Sequence, residues 1–143
     1  MGFGKLASKF HVDRERTARF ALDSIALGGE AVPVLLLRYA GDGNAGFENA
    51  MAKRRPALQG ATRRQSVDLL VEIVSAHVVV GWENVIEDDG TKPEFTSDKA
   101  KELLSAIVAG DGGITVFNAI LAFAQNPENF RGALPSVEEL GKG

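Results

Sequence analysis

The chain contains no cysteine, so a disulfide framework and any thiolate metal centre are excluded, as fits a reducing cytoplasm. Histidine is nearly missing as well. His11 and His77 are the two present, and neither stands in a zinc-protease motif or near a nucleophile elbow. His77 lies in an apolar run and reads as a buried or edge histidine. No long hydrophobic run occurs. Residues 32–37 are far too few to cross a bilayer and are interrupted by Pro33, so no membrane partner is expected. The first residues lack the apolar stretch of a secretory signal. Gly2 invites a myristoylation reading, but Leu6 stands where that motif needs Ser or Thr. Neither sign of charge is in large excess. A net charge of -3 gives no strong pull toward nucleic acid or membrane.

What is present is ordinary globular material. At 143 residues with 45% hydrophobic and 24% charged content, the sequence fits one domain. Folding buries roughly two-thirds of the surface such a chain exposes when unfolded. The charges are segregated. Lys53, Arg54, Arg55, Arg63 and Arg64 cluster mid-chain, and Glu83, Glu87, Asp88, Asp89 and Glu94 follow about thirty residues later. Such segregation can orient a partner or a second copy; the plainer reading is solvated faces that pair with each other or with nothing. The single tryptophan, Trp82, precedes the acidic run. It serves as a core or hinge anchor at the end of a buried helix, or as an interface anchor. Trp82, Glu83, Glu87, Asp88 and Asp89, with Arg54, Arg55, Arg63 and Arg64, are the candidate partner-binding residues.

The pattern predicts an α+β fold, mostly α-helical: an N-terminal β-hairpin followed by about four helices. Residues 1–15 read as a loosely held arm, 16–130 as the domain and 131–143 as a polar tail. Ala18, Phe20 and Leu22 alternate with polar or small residues within a strand at 16–27. Gly28-Gly29 turns the chain, and 32–39 forms the second strand, with Pro33 at its start or on an edge. A glycine loop at 41–46 precedes a helix at 47–55, broken by Pro56. Residues 63–80 form a helix apolar on nearly every face, whose end, 77–80, has strand propensity. Thr96 or Ser97 caps the next helix, with Ala100, Leu103, Leu104, Ile107 and Val108 in one stripe. Ile114, Phe117, Ile120, Leu121 and Ala124 repeat that spacing in a last helix ending before Pro127.

Candidate chemistry is thin. Gly41-x-Gly43-x-x-Gly46 follows a strand and precedes a helix, as a dinucleotide fingerprint does. Arg63 and Arg64 stand where that motif needs an acid, and no βαβ repeat follows. Glu87-Asp88-Asp89-Gly90 lacks the alternating ligands of a calcium loop and reads as a turn. The basic stretch has no interleaved aromatics to stack bases, so nucleic acid is not expected as a partner. No nucleophile, base and orienting group assemble from motif spacing. Neither catalytic, cofactor-binding nor metal residues are expected, and no cofactor.

Val79-Val80-Gly81-Trp82-Glu83-Asn84-Val85, then Asp88-Asp89-Gly90, Pro93-x-Phe95-Thr96 and Ala100-x-x-x-Leu104 resemble the central signature of tail assembly chaperones of long-tailed bacteriophages. Leu37-Arg38-Tyr39 with Asn44 and Phe47 fits that family's N-terminal half, and residues 118–130 resemble its last helix. The similarity spans most of 16–130. It implies a non-enzymatic morphogenesis protein in the host cytoplasm, self-associating and binding tape-measure or tail-tube proteins. A minor virion protein, such as a capsid cement bound to capsid protein or a tail component, is the alternative, and a nucleotide-binding protein using 41–46 a remote one. The family's habit of producing a longer, frameshifted form makes the Gly141-Lys142-Gly143 ending compatible with a slippery codon run.

Overall fold

The computed structural model describes residues 2–8, 12, 16–22 and 32–131. The Gly28-Gly29 turn, the far half of the expected first strand, His11 and the polar tail lie outside the described residues. The N-terminal arm carries a short helix, α1 (Gly4–Ser8), where the sequence suggested no regular structure. Strand β1 (Thr17–Ala21) pairs antiparallel with β2 (Val34–Arg38), so Ala18 faces Leu37 and Phe20 faces Leu35. Pro33 sits just before β2, as expected for a residue without a donor, and its carbonyl accepts from the Leu22 N–H at 2.8 Å.

Helices α2 (Ala45–Gln59) and α3 (Arg63–His77) follow, then strand β3 (Val79–Glu83), α4 (Ser97–Ala109), α5 (Gly113–Gln125) and a 3-10 turn, Pro127–Phe130. The mixed, mostly helical architecture is the expected one, with a third strand added. β3 adds antiparallel to the far side of β2, making a three-stranded sheet in the order β1-β2-β3. The register slips between Leu36 and Leu37, leaving Val80 as the extra residue of a bulge, 37% exposed.

Two boundaries differ from the sequence reading. Pro56 lies inside α2 rather than ending it. An interior proline removes one helical hydrogen bond and crowds the carbonyl four residues back. Here that carbonyl belongs to Ala52, and both residues are exposed, so water can take the orphaned acceptor. The second difference is at 77–80. α3 stops at His77, and the β-branched residues after it join the sheet as β3. Trp82 therefore belongs to a strand, not to a helix end.

The helix starts are chemically specified. Thr62 and Gln65 form a reciprocal capping box on α3, and Thr96, not Ser97, caps α4 by accepting from the Lys99 N–H at 3.0 Å. α3 packs against both α2 and α4, and α4 against α5. Leu35 and Leu37 from the sheet meet Val74, Leu104, Phe117 and Ile120 from the helices in one core, each at most 1% exposed. Each such side chain contributes about 1.5–3 kcal/mol by leaving water. Phe123 joins the sheet to the C-terminal end, edge-on to Phe20 at 5.2 Å and to the buried Phe130 at 6.4 Å.

Candidate functional site

Three segments converge where β2 ends. Asn44 caps α2, its Oδ1 accepting from the Phe47 N–H at 3.2 Å. Its Nδ2 donates to the Tyr39 and His77 carbonyls, each at 2.9 Å. One amide thus ties the end of β2, the start of α2 and the turn from α3 into β3. The neighbouring glycines serve the same junction. Gly43 has a φ of 95°, and a Cβ on Gly46 would lie 2.5 Å from His77 Nδ1. Gly46 is already inside α2.

This arrangement disfavours a phosphate. The Gly43 N–H donates to the Glu48 carboxylate at 2.8 Å, and Asn44 occupies the Phe47 donor. An anion already sits at that helix start. The described strands are antiparallel, whereas the dinucleotide fold needs a parallel βαβ unit. Titration with NAD or ATP is expected to leave the melting midpoint unchanged, because only a ligand bound by the folded state raises it. A dose-dependent rise in thermal-shift measurements would contradict this.

The acidic candidates gather elsewhere, between β3 and α4. Trp82 is half-buried, edge-on to Phe95 with ring centroids 5.2 Å apart. Its indole N–H donates to the Pro93 carbonyl at 3.2 Å, so its polar handle is satisfied within the chain. The ring thereby clamps the returning segment to β3. Between these points Asn84 adopts a φ of 59° and donates to the Val32 carbonyl at 3.1 Å. Asparagine tolerates that left-handed backbone better than most residues.

A tight turn orders the acids. The Glu87 N–H donates to the Thr91 carbonyl, and the Gly90 N–H to the Glu87 carbonyl. The Thr91 N–H donates to Asp89 Oδ1 at 3.0 Å, and its hydroxyl lies 2.7 Å from the same atom. Lys99 Nζ donates to Glu87 at 2.8 Å and lies 3.3 Å from Glu102. The Lys99 hydrogen bond, helped by Thr91, holds the Glu87 carboxyl below its ordinary 4.5. Thr91 likewise holds Asp89 below 3.8, and Glu87 with Glu102 raises Lys99 above 10.5.

The two carboxylates therefore favour the folded turn above their ordinary values, and that contribution is lost as pH falls through their lowered folded values. Lys99 contributes with the opposite sense, its share disappearing as pH rises through its raised value. A carboxyl-detected NMR titration is expected to show both acids ionising below their ordinary values. Thr91→Val is expected to move Asp89 part of the way back toward its ordinary value, since the N–H of residue 91 still donates to it, while leaving Glu87 mostly held by Lys99. An unchanged Asp89 titration in that variant would refute the assignment.

The turn walls a groove of about 310 Å³. Trp82, Ile86, Pro93 and Leu103 make it apolar, with Ile86 44% exposed, and Glu87, Asp88 and Glu102 stand along it. The sequence reading found Trp82, Glu87 and Asp88 but missed Ile86, Leu103 and Glu102. An isolated isoleucine in an acidic loop was the available signal. Glu83 points elsewhere: it pairs with Arg19 at 2.6 Å, reaching across β2. The basic candidates do not meet the acidic ones. Arg54 pairs with Glu72 at 3.0 Å and Arg64 with Asp68 at 3.3 Å, both acids of α3, while Arg55 and Arg63 are exposed. A larger groove of about 590 Å³ includes Gln65, Asp68, Glu72 and Lys101 but no aromatic side chain.

Among the described residues no group of three or more His, Cys, Asp or Glu side chains is placed to hold a metal ion. Nor is any described helix long and apolar enough to cross a membrane. The chain is thus a small, mostly helical α+β protein whose distinctive surface is an apolar groove with an acidic rim. The family model for the YdaY prophage protein matches residues 43–142, and the chain belongs to that family. Membership makes this a phage-derived protein. Comparison with curated proteins and with solved structures gives no match.

Proposed function

We propose that this prophage protein acts in virion morphogenesis, without catalysis, as a tail assembly chaperone that binds tape-measure or tail-tube proteins through protein–protein contacts. One observation carries the reading. The stretch that resembles those chaperones, 79–104, is drawn together by the Trp82–Phe95 contact and the Thr96 cap, and it lines an apolar groove that opens toward solvent. Apolar side chains exposed inside a polar rim are the usual anatomy of a protein-contact surface. Glu87 and Lys99 beside the groove are engaged in holding the turn, which supports binding rather than turnover.

The test is genetic and compositional. Deleting the gene from a particle-producing phage that carries it is expected to yield heads without tails, with the protein absent from purified wild-type particles by mass spectrometry. Stoichiometric presence in particles would replace the chaperone with a capsid cement or tail component. Tailed, infective particles from the deletion strain would overturn the morphogenesis reading altogether.

A further inference from the structure

Three Asp-Gly bonds occur in the chain, at 42–43, 89–90 and 111–112, and each joins an exposed aspartate to a glycine with positive φ. Glycine has no Cβ to shield its amide nitrogen. That nitrogen can therefore reach the carboxyl carbon of the preceding aspartate and close a five-membered imide. The fold treats the three bonds differently. The Gly43 N–H donates to the Glu48 carboxylate at 2.8 Å. The Gly90 N–H donates to the Glu87 carbonyl at 2.9 Å, and the Asp89 carboxylate is itself held by the Thr91 N–H and hydroxyl. At the third bond, among the described residues, neither the Gly112 N–H nor the Asp111 carboxylate has a hydrogen-bond partner.

We propose that Asp111–Gly112 is the bond at which this chain rearranges spontaneously, Asp111 passing through a cyclic imide to a β-linked aspartate. The Gly112 nitrogen forms a bond to Asp111 Cγ, and its proton leaves with the carboxyl hydroxyl as water. Water then opens the ring. Addition at Cγ restores aspartate. Addition at the former peptide carbonyl breaks its bond to nitrogen, frees it as an α-carboxylate and leaves the chain running through Cβ and Cγ. Water is the one co-reactant, and no atom is oxidised or reduced. The product adds one backbone atom where the fold has little room for it. The connection between α4 and α5 is only residues 110–112. Gly113, next in line, lies so near α4 that a Cβ there would stand 1.6 Å from the Ile107 carbonyl oxygen, and its N–H donates to the Gly110 carbonyl at 3.0 Å. Lengthening this turn disturbs that bond and shifts α5 against α4, where Leu104 and Phe117 are buried.

Prolonged incubation of the full chain near neutral pH, below its melting midpoint, tests the proposal, with a urea-unfolded sample alongside. Peptide mapping by a fragmentation that separates α-linked from β-linked aspartate reads all three positions. In urea they are expected to convert at similar rates. In the folded chain, conversion at 42 and 89 is expected to run about tenfold slower than at 111, since a hydrogen bond must open before each attack. The proposal is overturned if 111 stays unconverted in the folded chain once the unfolded sample has converted, or if 42 or 89 keeps pace with it. Asp111→Glu changes an exposed side chain and requires a larger, slower-closing ring, so it is expected to stop conversion there. Aged wild type is expected to melt at a lower temperature than fresh protein, and the aged variant is not. Equal losses in both would overturn the link between position 111 and the α4–α5 contact.

Discussion

Asn44→Ala is expected to lower the thermal midpoint by roughly 10 °C, a large loss for one half-buried polar side chain. The cap on α2 is worth about 1 kcal/mol. The Tyr39 and His77 carbonyls, each accepting from Nδ2 at 2.9 Å, add about 1 kcal/mol apiece when their donor is removed, since both are partly shielded from water. At about 3 °C per kcal/mol for a chain of this size, the sum gives that shift. Asn44→Asp separates the contributions. Aspartate caps a helix as well as asparagine does and favours its N-terminus electrostatically. It has no donor for the two carbonyls and places a negative charge against them. Asp is therefore expected to destabilise at least as much as Ala. A melting curve close to wild type for Asn44→Asp would reduce the residue to an ordinary cap.

Gly113→Ala is expected to reverse the usual sign of a helical glycine replacement. Alanine in a helix normally gains about 1 kcal/mol over glycine. At this position, the first residue of α5, a Cβ would lie 1.6 Å from the Ile107 carbonyl oxygen and 2.6 Å from its carbon. Both are backbone atoms of α4, so no rotamer change relieves the clash and the two helices must separate. Overpacking of this kind costs about 3 kcal/mol or more. It would also loosen the buried contacts of Leu104 and Phe117. Gly110→Ala is the control. Its nearest neighbour would be the same oxygen at 3.5 Å, an ordinary contact, so a near-neutral effect is expected. Equal denaturant midpoints for the two variants would show that α4 and α5 do not meet as closely as described.

The sequence disclosed what is set locally and concealed what is set by distant pairing. The stripes of α4 and α5 were readable because each helix repeats its apolar residues over three turns and ends at glycine or before proline. The Thr62 and Thr96 caps are equally local. Pro56 misled because its cost depends on whether the carbonyl it orphans meets solvent, which only the packing of α2 decides. The strand after His77 was concealed for another reason. Val79 to Glu83 needs β2 as its partner, more than forty residues earlier, and no local periodicity announces that bond. The candidate site divides in the same way. Trp82, Glu87 and Asp88 stand out in the sequence as a conspicuous run, but Leu103 belongs by periodicity to the α4 stripe, and only the fold turns it toward Ile86. The basic cluster was visible as composition, yet its Arg54 and Arg64 answer to Glu72 and Asp68 nearby.

The position of β2 at the centre of the sheet has a consequence for what counts as a unit. The family match begins at residue 43, after both strands of the hairpin, yet among the described strands β3 inside the match pairs only with β2. Heredity and architecture draw their borders in different places. A fragment starting at the family border would inherit the signature and every major helix, but it would present β3 with one row of amides and carbonyls unanswered and Val74 and Leu104 without the leucines that cover them. The recognisable part of this protein is therefore not self-sufficient. Residues 34–38 must be present for the matched segment of this chain to keep its own strand paired.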